Sequence, residues 1–156
     1  MADIASELEA IAVRLRRAGE EDLGRELTRA MRDAVAPVPD QIRAGLDPHL
    51  PRRYAETLDE DLDIKIIARN SGGADADAAV AVYAQTRGKG RKLRRLDAGL
   101  LTHPLFGDRE HWYTQEGPGH GMVPGWFTGP AEAAGPRVLA ALEQALADVS
   151  GKAAGG

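Results

Sequence analysis

The sequence predicts an α+β fold, with N-terminal helices and a long C-terminal helix packed on a small, mainly antiparallel sheet. Apolar residues recur at helical spacing through the first third of the chain and again after Pro130. Around Leu62–Ile66 and Ala79–Ala84 the pattern changes to alternation, and Gly- and Pro-rich stretches separate the two kinds of pattern. A length of 156 residues fits one domain over 1–150, with 151–156 read as a flexible Gly-Ala tail.

Asp3 is placed to cap a first helix to Ala18, with Ile4, Leu8, Ile11 and Leu15 on one face. This acidic helix, within 1–20, is a segment that can extend to a neighbour. Leu23, Leu27, Met31, Val35, Val38, Ile42 and Leu46 form a second stripe, which Pro37 and Pro39 break. The stripe continues through the break, so both pieces are expected to cover one surface. Pro48, Pro51, Arg52 and Arg53 read as a connection.

Leu62, Ile64 and Ile66 then alternate with Asp63 and Lys65, which predicts a half-buried strand. Ala79–Ala84 pairs with it across an exposed loop spanning 69–77. Leu93, Leu96, Leu100 and Leu101 fit one or two helical turns ending near Pro104, and 111–115 is a third strand candidate. A sheet of three strands leaves an edge open, which predicts oligomerisation. A final helix beginning at Pro130 carries Val138, Leu142, Leu146 and Val149 on one stripe, with Leu139 and Ala145 beside it.

Composition narrows the chemistry. There is no cysteine, which removes disulfides, thiolate metal sites and a cysteine nucleophile. His49, His103, His111 and His120 lack ligand spacing, and the acidic run 59–63 lacks the glycine and terminal glutamate of a calcium loop. Arg87–Lys92 does not have phosphate-loop spacing, and Ser6, Ser71 and Ser150 lie outside any nucleophile-elbow context. The sequence therefore predicts a protein that is not an enzyme and uses no cofactor or metal. The acidic N-terminus is unlike a signal peptide and no stretch has the length of a membrane span, so a soluble protein made in the cytoplasm is expected.

The net charge of −4 hides an asymmetry. Arg87, Lys89, Arg91, Lys92, Arg94 and Arg95 carry six positive charges, and setting them aside leaves −10 on the rest. This stripe either contacts phosphate without regard to sequence or bridges to the acidic body of a neighbouring copy. A small nucleic-acid-binding protein using this loop is the alternative function.

Aromatic residues make up only 4% of the chain, so each one has a specific packing task; Phe106, Trp112, Trp126 and Phe127 are the candidate core or interface anchors. Around Trp126, Pro124 and Gly125 make a turn, Thr128 or Gly129 can cap, Pro130 suits the first helical position and Glu132 favours the helix dipole. Trp126 either anchors the core or docks on a neighbour.

Three segments carry a resemblance to a known family: Arg94–Gly107, Trp112–Gln115 and Gly125–Val138. They look like the tail-completion family of long-tailed bacteriophages, also called neck, head–tail connector or minor tail proteins, particularly of phages of actinobacteria. The similarity covers roughly residues 23–150. It implies a non-catalytic virion protein that forms a ring of its own copies at the head–tail junction. The ring would join the connector or stopper to the tail terminator or tail tube and let genomic DNA pass. The motifs concern packing and turns, so the resemblance implies architecture rather than chemistry.

Overall fold

The computed structural model describes residues 20–71, 77–88 and 92–154. The helix expected over Asp3–Ala18, the middle of the loop after Ser71, and Lys89 and Arg91 of the basic stripe lie outside these residues. The described chain runs α1 (Glu20–Val35), α2 (Val38–Ala44), α3 (Leu46–His49), α4 (Arg52–Asp61), β1 (Leu62–Ser71) and β2 (Asp77–Thr86). It continues through α5 (Leu93–Asp97), β3 (Leu100–Leu105), β4 (Asp108–Glu116), a 3₁₀ turn (Pro118–His120), α6 (Thr128–Ala133) and α7 (Gly135–Ala154). The class is α+β, as the change of hydrophobic period predicts.

The contacts divide this chain into two compact units. One contains α1, residues 66–81 of the β1–β2 hairpin, and α7; the other spans Pro37–Lys65 and Val82–Ala134. Both helix-to-helix boundaries between the units fall beside a proline, at Ala36–Pro37 and at Ala134–Gly135 before Pro136. Proline has no N–H for the helical ladder and clashes with the preceding turn, so each helical run stops there. The long stripe from Leu23 to Leu46 is accordingly divided. Met31 and Val35 are buried in the first unit, and Val38, Ile42 and Leu46 in the second.

In the first unit α1 packs against α7. Met31 and Val35 from α1 and Ala145 from α7 are buried, and Ala30, Ala34 and Ala141 line the groove beside them. Small side chains let the two backbones approach closely. Val138, Leu142, Ala145 and Val149 form the covered stripe of α7, whereas Leu146, expected on it, is turned outward with Leu139. The helix also continues to Ala154, four residues into the stretch whose composition reads as a tail.

The second unit is built around Trp126, which is 0% exposed. Val38, Ile42, Leu46, Leu58, Leu62 and Met122 are buried in the same unit. Here α6 packs on α2, α3 on α4, and α5 on β3. The connection expected at Arg52–Arg53 is instead the start of α4, whose Ala55 and Leu58 are buried. Arg43 fastens the far end of α4: its guanidinium donates to the carbonyls of Asp59 (2.9 Å) and Leu62 (2.7 Å) and to the Asp59 carboxylate.

The strands do not form one three-stranded sheet. Among the described residues they form two separate two-stranded sheets, β1–β2 and β3–β4. Leu100 and Leu101 open β3 rather than extending a helix, because α5 ends at Asp97 and Gly99 turns the chain with φ +78°. β3 and β4 pair antiparallel from Leu100↔Glu116 to Pro104↔Trp112, with the register shifting between Pro104 and Leu105. Phe106 and Gly107 make the hairpin turn, with φ of +50° and +85°. Positive φ at both central positions matches the right-handed twist of the strands, as in a type I′ turn.

Candidate functional site

Two sequence features far apart in the chain meet at Asp97. Its Oδ1 accepts the N–H groups of Phe127 (2.8 Å) and Thr128 (3.1 Å), and its carbonyl accepts the Gly125 N–H (2.8 Å). A carboxylate at that point satisfies donors that open α6 and complements the positive end of its peptide dipoles. The cap therefore comes from 30 residues upstream. Neither Thr128 nor Gly129 caps, and Pro130 is the third residue of α6, not the first of a long final helix. Pro130 is tolerated there because the first turn has no N–H to donate within the helix.

Two glycines allow the same contact. At Gly99 a Cβ would meet the Pro124 ring at 3.0 Å, and at Gly45 one would meet the Trp126 carbonyl at 3.1 Å. Trp126 and Phe127 stack edge to face with ring centroids 5.8 Å apart. Trp126 is thus a core anchor, and its Nε1–H is buried with no protein acceptor among the described residues. Phe127 is half-buried. The turn directs the short α6 onto α2, not the long helix onto a sheet.

Three of the remaining candidates, Lys92, Arg95 and Trp112, line an open cleft of about 410 Å³ in the second unit. Lys92 and Arg95, three residues apart and so on one side of a helical turn, line it with Tyr54, Leu96, Leu100 and Trp112. Among the described residues, neither Lys92, Arg94 nor Arg95 forms an ion pair. Trp112 is 61% exposed, yet its Nε1–H donates to the Arg109 carbonyl at 2.8 Å, which fixes the indole against rotation. The site can therefore hold an anionic group against two cations and an apolar or planar group against a fixed ring. Arg94 and Arg87 stay exposed and do not line the cleft; Arg87 donates its backbone N–H to the Asp61 carbonyl at 3.0 Å.

Beyond the cleft the β3–β4 hairpin projects as an arm. Every residue of β4 except Gln115 is exposed. His103 and Tyr113 pair across the strands, ring edge to face at 5.8 Å, and Thr102 and Thr114 pair at 3.3 Å. The arm ends in Phe106, 99% exposed. Asp108 tightens the turn by accepting the Glu110 N–H (2.9 Å) and holding His111 (2.8 Å), contacts that keep its carboxyl below the usual carboxylate range. Asp63 of β1 is held low in the same direction, first by the Gln85 amide and then by Lys65.

In the sequence Trp112 stands apart from the basic stripe, 17 positions after Arg95. Only the antiparallel return of β4 brings them together. Among the described residues no group of three or more His, Asp or Glu side chains is placed to hold a metal ion, and no helix is long and apolar enough to cross a membrane. Comparison with family models, curated proteins and solved structures finds no match to this chain.

Proposed function

We propose that this protein is a structural subunit of the neck of a long-tailed bacteriophage, assembling with copies of itself into a ring. The ring joins the head connector to the tail tube, lets DNA pass and performs no catalysis; the virion is its place of work. One observation carries the assembly part of the reading. The β3–β4 arm presents Leu105, Phe106, Trp112 and Tyr113 to solvent on a sheet whose outer edges pair with no other strand among the described residues. Clustered apolar groups beside unpaired backbone edges are features of surfaces that meet another chain.

The neck assignment rests on the likeness of Arg94–Gly107, Trp112–Gln115 and Gly125–Val138 to tail-completion proteins. Asp97 lies in the first of these segments and caps the helix that opens in the third, so the shared residues include a real structural joint. Mass photometry of the full chain tests the proposal. A closed species of several copies supports it, and a monomer at all concentrations rejects it. Portal, capsid and tail-tube genes beside its own would support the phage assignment.

The cleft also favours the second reading, nucleic-acid binding, because it sets a fixed indole beside Lys92 and Arg95. A monomer that binds single-stranded DNA through these three residues would replace the ring with that function.

A further inference from the structure

We propose that the cleft lined by Lys92, Arg95 and Trp112 receives the outer face of α7 from a second copy of the chain. The inference rests on the ring reading and names the contact that would build it.

The outer face of α7 is an acidic spot between two leucines. Leu139 is 60% exposed, Leu146 is 45% exposed, and Glu143 lies exposed between them. Positions 139, 143 and 146 fall at i, i+4 and i+7, so all three side chains lie on one side of the helix, over two turns. Among the described residues Glu143 has no ion-pair partner. The covered stripe of this helix, Val138, Leu142, Ala145 and Val149, is a different one, and it is the one involved where α7 packs on α1.

The cleft has the complementary pattern. Leu96, Leu100 and the Trp112 ring supply apolar walls, and Lys92 and Arg95 supply cations with no carboxylate partner among the described residues. An apolar helix face set in a groove by anchors at i, i+4 and i+7 is a common recognition mode. Placing Glu143 against Arg95 satisfies a charge on each side. Leu139 and Leu146 then leave water against the cleft walls.

The two surfaces belong to different parts of the sequence, so the contact is heterologous. Each copy offers one cleft and one helix face, and a repeating head-to-tail contact closes into a ring when its rotation permits. The same complementarity uses the charge asymmetry of the chain, where the basic segment of one copy meets the acidic remainder of the next.

Charge reversal tests the contact on the full chain, read by mass photometry and sedimentation velocity. Arg95→Glu and Glu143→Lys should each weaken association about tenfold. The combined Arg95→Glu/Glu143→Lys protein should recover most of that loss. Both residues are exposed, so thermal melting followed by circular dichroism should not shift at a concentration where the protein is dissociated. Lys92→Glu with Glu143→Lys is the second pair if Arg95→Glu does not fold.

A wild-type ring indifferent to every single reversal leaves the ring reading standing and overturns this interface. Loss in the single variants without recovery in the combined one also overturns it. A wild-type monomer removes the ring and the interface together. If Arg95→Glu abolishes binding of a single-stranded DNA oligomer and leaves assembly unchanged, the cleft is a nucleic-acid site and the pairing with α7 is wrong.

Discussion

Asp97 does several jobs with one short side chain. Its carboxylate holds two backbone N–H groups of the α6 entry, and its own carbonyl holds a third at Gly125. Asp97→Ala should destabilise the fold by about 1–2 kcal/mol, measured by urea unfolding, since a lost cap leaves donors without an acceptor. Trp126 sits just before that cap. Trp126→Ala empties a fully buried site and should cost about 3–5 kcal/mol, seen equally in monomer and assembly. A melting temperature unchanged by that substitution would contradict the core placement.

Acid acts on two surface aspartates, one half-buried and one exposed. Asp63 and Asp108 are both held below their ordinary value of 3.8, the first chiefly by Gln85 and the second chiefly by the Glu110 N–H. A carboxyl whose folded pKa is depressed favours the folded state above its unfolded pKa. That contribution declines as pH falls below about 3.8 through the folded value. The double variant Asp63→Asn/Asp108→Asn should therefore lose less stability than the wild type between about pH 4 and pH 2. Parallel acid-unfolding curves would refute this.

At the scale of elements, the β3–β4 hairpin keeps an unfavourable residue at its turn. Phe106 adopts φ +50° and is almost wholly in solvent, so the ring gains nothing from the fold that would offset its backbone conformation. Asparagine accepts this region more readily and, followed by Gly107, makes a favoured hairpin turn. Phe106→Asn should raise stability by about 0.5–1 kcal/mol. On the ring reading the same change should weaken assembly, because it removes the apolar tip of the arm. Mass photometry and a thermal melt on the same sample would separate the two effects.

The elements also differ in how clearly the sequence announces them. α1, β1 and β2 follow patterns long enough to identify on their own. α4 was hidden because Arg52–Asp61 is mostly charged, and its two buried residues, Ala55 and Leu58, are too few to stand out. β3 was hidden for a different reason. Leu96, Leu100 and Leu101 keep helical spacing, and only the left-handed Gly99 turn assigns the first to α5 and the others to a strand.

For the whole molecule, charge sets the salt response. Six cations in 87–95 against −10 elsewhere favour attraction between copies at low ionic strength. Raising salt from about 0.05 M to 0.5 M should shift the assembly toward smaller species, as screening shortens the reach of those charges. Assembly that does not respond to salt would place the contact on the apolar arm alone.

Read alone, the sequence specifies the α+β class, the break at Pro37 and Pro39, the acidic body with its basic stripe, and the existence of a special turn at Trp126. Those are local properties, written in periodicity, proline geometry and charge. Long-range packing sets the rest: Trp126 is buried, Asp97 caps a helix 30 residues away, and Trp112 stands beside Lys92 and Arg95. Each depends on which distant segments approach, and no local pattern encodes that: a carboxylate reads the same in sequence whether it faces water or a helix end.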